Sequence, residues 1–169
     1  MKKKAIPLIL TAAIIGVDQL SKAIIVKKLP EEDIIDVFHN GFLWIWHVRN
    51  TAIAFSLGHN LPDWLKPIVI KVLPIAVLVY LVWFYLKSNE LAPIQRWCLA
   101  GILGGGLGNL IDRIFRSDGV VDFISVKFYG FLGFARWPTF NLADSFVVVF
   151  GILFLITLIL PGSKGKTKS

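Results

Sequence analysis

The sequence predicts an α-helical polytopic membrane protein, with four transmembrane helices and a small extracytoplasmic β-hairpin or sheet. Three observations predict it. Hydrophobic residues make up 56% of the 169 positions and only 17% are charged, where a soluble domain carries roughly a quarter; the mean hydropathy is +0.70. The apolar residues gather in four blocks, each near the roughly 20 residues a helix needs to cross a bilayer. Eight of the eighteen lysines and arginines gather in three short segments at the two ends and between the second and third blocks, as they do at the cytoplasmic edges of membrane proteins. The length allows one domain, residues 1–169.

The spans fall at about 5–26, 67–86, 94–114 and 139–160, with longer outer segments at 27–66 and 115–138 and a disordered basic tail at 161–169. The first block, preceded by Lys2-Lys3-Lys4, could be a cleaved signal peptide. Asp18-Gln19 interrupts the place for small cleavage-site residues, however, and apolar sequence resumes at Ala23, so it is expected to be a retained helix. Orientation follows from charge density. The two ends and the 87–96 connection hold eight Lys/Arg (Lys2, Lys3, Lys4, Lys87, Arg96, Lys164, Lys166, Lys168) and one acid, Glu90. Both termini are therefore expected in the cytoplasm. Trp64, Trp83, Tyr85, Trp97 and Trp137 fall at span ends, as in aromatic belts. The net charge of +7 raises the question of nucleic acid, but no basic stripe with interleaved aromatics exists and no such partner is expected.

In the first outer segment, Asn40-Gly41 between IIDVFH and FLWIWHV is a two-residue hairpin signal. Pro74 should kink the second span. The lone Cys98 forms no intrachain disulfide and lacks a neighbouring base, so it is expected to be a small apolar residue.

The residues that do not belong in lipid all fall near the outer surface under this topology. Asp18 and Lys22 end the first span, Asn109, Asp112 and Arg113 end the third, Asn141, Asp144 and Ser145 begin the fourth, and Asp122 precedes it. Polar groups at one depth, from three helices and a connection, describe a site. Each also has a plainer explanation. Asp18 and Lys22, four apart, could neutralise one another. Asp112 and Arg113 could mark a span end. Asn141-x-x-Asp144 fits a capping box, and Asp122 could be an exposed loop acid. In the third span Gly101, Gly105, Asn109 and Arg113 recur every four residues, and Gly104 and Gly108 add a second small-residue pair that permits close helix packing.

The chemistry narrows by residue type. No GxSxG run supports a serine hydrolase, and no HExxH run supports a zinc protease. His39, His47 and His59 lack metal-ligand spacing, so no metal is expected. Carboxylates remain. Two aspartates held together share a proton, one serving as base on a water and the other donating to a carbonyl oxygen. Asp122, on a loop, and Asp144, near a helix N-terminus, are the natural pair. Rival classes are a small ion or proton transporter, which needs polar groups through the whole depth, and a non-catalytic membrane scaffold.

The motifs DQLSK (18–22), NTAIAF (50–55), GGGLGNLIDR (104–113), VVDF (120–123) and FNLADS (140–145), in this order over nearly the whole chain, resemble the lipoprotein signal peptidases, the bacterial signal peptidase II family. The resemblance implies an aspartic endopeptidase of the cytoplasmic (inner) membrane, active at its outer face, removing signal peptides from diacylglyceryl-modified prolipoproteins. By position it implies that Asp122 and Asp144 are catalytic, that Asn50, Asn109, Arg113 and Asn141 support the site or bind substrate, and that Asp18, Lys22, Gly101, Gly105 and Gly108 are structural. It implies no metal or organic cofactor, membrane lipid as surroundings, and globomycin as an inhibitor in the same cleft; a monomer is expected. One motif departs: Ala52 and Ile53 stand where the family has glycine and alanine, which would alter fit near Asn50.

Overall fold

A computed structural model of the chain describes residues 2–51 and 61–159. A one-turn helix α1 (Lys2–Ala5) leads into α2 (Leu8–Lys28). The strands β1 (Ile34–Asp36) and β2 (Leu43–Asn50) follow. A π-helical turn (Ile68–Val72) runs directly into α3 (Leu73–Lys87), and α4 (Pro93–Phe115) comes next. The strand β3 (Val120–Val126), a 3-10 turn (Phe131–Gly133) and α5 (Leu142–Ile159) complete the order. Four helices are long and apolar enough to cross a membrane: Leu8–Lys28, Ile68–Lys87, Pro93–Phe115 and Leu142–Ile159. They agree with the expected spans to within a few residues at each end.

The helix α4 is the centre of the bundle. Half of its membrane-spanning stretch is buried, against 11% for those of α3 and α5, because glycines on two sides of it admit two neighbours. A Cβ at Gly101 would run into the Phe150 ring, and one at Gly105 into the Ala143 carbonyl. On the other side a Cβ at Gly104 would stand 2.9 Å from Ile14, and one at Gly108 would stand 2.7 Å from Asp18 Oδ2. So one face of α4 lies against α5 and the other against α2, at distances a larger residue forbids. The third neighbour, α3, packs Leu78 and Tyr85 against Leu99 and Leu103 of α4.

Tyr85 is not the belt residue its position suggests. It is buried, and its hydroxyl donates to the Lys4 carbonyl at 2.6 Å. Arg96, expected as a cytoplasmic charge, is buried beneath it. Its guanidinium donates to the Tyr85 and Ser88 carbonyls at 3.2 and 2.8 Å, satisfying acceptors left open where α3 ends. Trp64, Trp83 and Trp97 are exposed, in keeping with an aromatic belt; Trp137 packs on Phe128 with ring centroids 4.9 Å apart. Cys98 is buried and free.

Pro74 acts differently from a simple kink. The irregularity precedes it: the Leu73 N–H bonds the Ile68 carbonyl, five residues back. Pro74 has no N–H to offer the Ile70 carbonyl, four residues back, and that carbonyl accepts instead from Arg113 Nη1 at 2.9 Å.

The strands form one antiparallel sheet in the order β1-β2-β3. The β1–β2 connection is wider than the two-residue turn expected at Asn40-Gly41. Ile34, Ile35 and Asp36 pair with Trp46, Ile45 and Trp44, which centres the register on Asn40. Asp36 Oδ2 accepts from the Gly41 N–H at 2.7 Å and Asn40 Oδ1 from the Phe42 N–H at 2.9 Å, so side chains close the loop. The strand β3 was not anticipated. It pairs with β2 through a bulge between Ile45 and Val48. Gly119 (φ +98°) turns the chain into it where a Cβ would stand 2.6 Å from the Asn50 carbonyl. Arg136 clasps the far side, donating to the Ser125 hydroxyl and carbonyl and to the Gly41 carbonyl at 2.7–2.8 Å, with its guanidinium 3.6 Å from the Trp44 ring centre.

These contacts generate a paired test. Gly105→Ala presses a methyl against backbone that cannot move aside and should cost about 1–3 kcal/mol, lowering Tm in detergent. Gly16→Ala, where nothing lies within 4 Å of the added carbon, should leave stability unchanged or raise it by up to about 1 kcal/mol, so that Tm holds or rises.

Candidate active site

Three elements converge at the end of the bundle that carries the sheet. The chain returning from the 3-10 turn runs beside β3, where Phe140 exchanges backbone hydrogen bonds with Ile124 at 2.7 and 3.0 Å. It then enters α5 one residue later. This return sets Asp122, on β3, beside Asn141 and Asp144 at the start of α5. Asp122 therefore lies on a strand and is buried, not on an exposed loop.

Asn141 is the junction. Its side-chain oxygen accepts from the Asp144 N–H at 3.0 Å, while Asp144 Oδ2 accepts from the Asn141 N–H at 3.1 Å. This is the reciprocal capping box the spacing suggested. The same Asn141 amide nitrogen donates to Asp122 Oδ1 at 2.7 Å and to Asn109 Oδ1 at 3.0 Å. Capping and site-building are thus one arrangement. Asp144 Oδ1 accepts from Asn109 Nδ2 at 2.7 Å, and Asp122 Oδ2 from Asn50 Nδ2 at 2.8 Å.

Beneath the pair lies a second polar layer. Lys22 and Asp18 are both fully buried and 2.8 Å apart. Asp112, also fully buried, lies 3.0 Å from Lys22 Nζ, and Asn109 Oδ1 lies 2.9 Å from it. All three ammonium protons are thereby placed. Asp18 Oδ1 accepts from the Ala143 N–H at 3.1 Å, taking up an open donor of the first turn of α5. Asp112 accepts from Gln19 at 3.1 Å, Arg116 at 3.0 Å and the Val121 N–H at 3.3 Å, which ties β3 to α4.

The structure thus brings together Asp18, Lys22, Asn50, Asn109, Asp122, Asn141 and Asp144. Arg113 is adjacent, with Nη1 on the Ile70 carbonyl and a buried Nε that meets no acceptor among the described residues. Gly108 makes room for Asp18, while Gly101 and Gly105 seat α5. The sequence reading undervalued Asp112, Gln19 and Arg116. Asp112 stands three residues after Asn109, on the same helix face, and that spacing was the available signal. Ala52, Ile53 and His59 lie outside the described residues. Among the described residues no cluster of His, Cys, Asp or Glu is placed to hold a metal ion; His47 engages the Leu29 carbonyl through Nδ1 at 2.8 Å.

Burial pushes the Asp122 carboxyl up to about 7, and the negative charge of Asp144 adds to the effect against the opposing hydrogen bonds from Asn50 and Asn141. A carboxyl whose folded value is raised binds its proton more tightly folded than unfolded, so its contribution to stability declines as pH rises from about 4 to about 7. Asp122→Asn should therefore raise the unfolding free energy relative to the native protein at pH 8, by on the order of a few kcal/mol, and with it Tm, and the gain should shrink toward pH 4. Thermal unfolding in detergent across that range measures it.

Comparison with known proteins accords with this arrangement. Residues 10–160 match the family described as signal peptidase (SPase) II. A lipoprotein signal peptidase of Treponema denticola is 50% identical over 161 residues, covering 95% of this chain and 92% of that protein. One from Treponema pallidum is 40% identical over 158 residues, covering 94% and 85%. A solved bacterial membrane enzyme superimposes with a TM-score of 0.76 at 26% identity, covering 98% of this chain and 94% of its own. With four apolar helices, a small antiparallel sheet and this match along nearly its whole length, the chain belongs to the signal peptidase II family of membrane-embedded aspartic peptidases.

Proposed function

We propose that this protein removes signal peptides from diacylglyceryl-modified prolipoproteins, with Asp122 and Asp144 as its catalytic pair. The observation that carries the proposal is the sharing of Asn141: its amide donates to Asp122 and its backbone and side chain cap Asp144, so a buried and a partly buried carboxylate are held by one residue. Two like charges this confined cannot both ionise comfortably, and the pair holds one proton at neutral pH. The ionised member draws a proton from a water, which attacks the scissile carbonyl; the protonated member donates to that carbonyl's oxygen. Arg113 Nε, buried and without an acceptor among the described residues, would be available to a substrate carbonyl or the developing oxyanion. The residues Asn50, Asn109 and Asn141 hold the carboxylates in register.

The charge distribution supports an orientation with both termini and the 87–96 connection in the bacterial cytoplasm and the sheet end at the outer face of the inner membrane. A lipid-modified cysteine is anchored by its acyl chains, so its scissile bond lies near headgroup level, where Asp144 begins the last span. The whole of 1–169 acts as one domain, as a monomer, without metal or organic cofactor. A proton or ion path is disfavoured by the distribution of polar groups. Away from the site, the buried Thr11, Gln95 and Arg96 are taken up by backbone groups rather than arranged along a route.

Purified protein and a diacylglyceryl-modified prolipoprotein in detergent provide the test. Wild type should release the signal peptide, and Asp122→Asn and Asp144→Asn, each folded, should lose about a thousandfold or more in rate. If either variant still cuts, the pair is structural. If wild type leaves the substrate whole, a transporter or scaffold role returns. The rate of the native enzyme should fall above about pH 7, tenfold per unit, as Asp122 gives up the shared proton.

A further inference from the structure

Arg113 stands beside three carboxylates and pairs with none of them. The charges of Asp144, Asp122 and Asp112 all act on it, yet it takes part in none of the ion pairs among the described residues. Its Nη1 donates instead to a neutral backbone carbonyl, that of Ile70, at 2.9 Å. A guanidinium bonds a carboxylate more strongly than a neutral oxygen. Something therefore makes this carbonyl the better placed acceptor.

The second span supplies the cause. Ile70 lies in the π-helical turn Ile68–Val72, and Pro74 stands four residues on, in the first turn of α3. A proline at the start of a helix needs no functional reason, because the N–H groups there are open in any case. Here the π-helical turn runs directly into α3, so the carbonyl facing Pro74 belongs to a preceding helical turn. A carbonyl accepts from two donors, so the effect of Pro74 is on direction rather than capacity. Its ring crowds the carbonyl four residues back and tips it out of the helix, and it offers no N–H to draw that oxygen toward the axis. Ile70 and Pro74 are both half-buried, while Lys71, Val72 and Leu73 between them are exposed. The tipped carbonyl thus lies on the inward face, and it is the one Arg113 meets.

Resting on the aspartic-peptidase reading of the pair, we infer that Pro74 is a positioning residue: by turning the Ile70 carbonyl toward α4, it tethers the Arg113 guanidinium beside Asp122 and Asp144 without letting it settle on either. The tether serves two ends. The carboxyls keep the proton they share, which a cation in direct contact would expel. The guanidinium is kept for an oxygen of the substrate. The charged groups around the pair are Asp18 and Lys22 from α2 and Asp112 and Arg113 from α4; Lys71, in the π-helical turn, is exposed. Lys22 is bound to Asp18 and Asp112, and Arg116 to Asp112. Arg113 is the cation among these whose place the salt bridges do not set.

Pro74→Ala removes the ring and restores the N–H, and its pH–rate profile, kcat, KM and Tm are compared with wild type. Tm should hold or rise, since alanine suits a helix and proline does not. The kcat should fall roughly ten- to a hundredfold, the scale of a misplaced group at a reacting centre, with KM within about threefold. The alkaline limb of the profile should move to lower pH by about one unit or more, because a guanidinium that settles on the pair favours its ionised form. A limb that stays in place overturns the inference, whatever happens to kcat. Infrared titration reads the same event without turnover. The carboxylic-acid C=O band that wild type shows, and that Asp122→Asn with Asp144→Asn lacks, should fade at lower pH in Pro74→Ala. Adding Arg113→Gln should abolish that shift; a shift that survives it also overturns the role. If Pro74→Ala does not fold, replacing the Ile70–Lys71 amide by an ester weakens the Ile70 carbonyl as an acceptor and leaves every side chain in place. It should move the limb in the same direction, and an unmoved limb again overturns the role. Failure of the aspartic-peptidase reading would show separately: wild type would leave the prolipoprotein whole, while the infrared titration would still decide the part played by Pro74.

Discussion

A carboxylate survives among apolar helices only if donors are already aimed at it, and most of the architecture at the sheet end answers that constraint. Three aspartates, Asp18, Asp112 and Asp122, are buried there, and a fourth, Asp144, is partly buried. Asp18 and Asp112 bracket Lys22, and Arg116 and Gln19 complete Asp112. Asp144 is met by a helix N-terminus and an amide, and Asp122 by two amides. Around these four carboxylates, the salt bridges lie in the lower layer and the hydrogen-bonding side chains on the upper pair are neutral amides. The division suits the proposed catalytic pair: a cation directly on Asp122 or Asp144 would favour its charged form and leave no proton for the two to share.

Close helix packing makes this density of polar contacts attainable. The glycines of α4 remove side chains where α2 and α5 approach, and Asp18 can reach both Lys22 and the Ala143 N–H because Gly108 has no Cβ in the way. The stripe that reads as lipid-phase packing is equally the clearance for a carboxylate. Arg113 extends the site to the π-helical turn before α3 by occupying the Ile70 carbonyl that Pro74 leaves open.

Much of this was legible in the sequence. Four spans, a sheet, the clustering of intruding polar residues at one end and the pairing of Asp18 with Lys22 all follow from hydropathy, spacing and charge. The capping box was legible too, though capping and site-building looked like alternatives until Asn141 was seen to do both. What stayed hidden was tertiary. The run VVDF gives no alternation because β3 is covered on both faces, so it reads as a buried run in a connection rather than a strand. Asp112 looked like a span end because its partners lie on α2 and β3, far away in sequence. Tyr85 and Arg96 looked interfacial because a helix end gives no sign that a neighbouring element will cover it. The loop at Asn40-Gly41 widened because Asp36 and Asn40 close it with side chains, an option the dipeptide signal does not weigh.

The long sequence separations have a consequence for how the protein comes into being. Asn50 meets Asp122 across 72 positions, and Asp18 meets Ala143 across 125. The strand that carries Asp122 is made only after three of the four spans, and the turn that carries Asp144 opens the last one. No partial chain emerging from the ribosome contains the whole constellation, and the early helices must wait in the bilayer for partners not yet synthesised. The order of synthesis is therefore itself a safeguard: the protein is harmless to its surroundings until its final helix is in place.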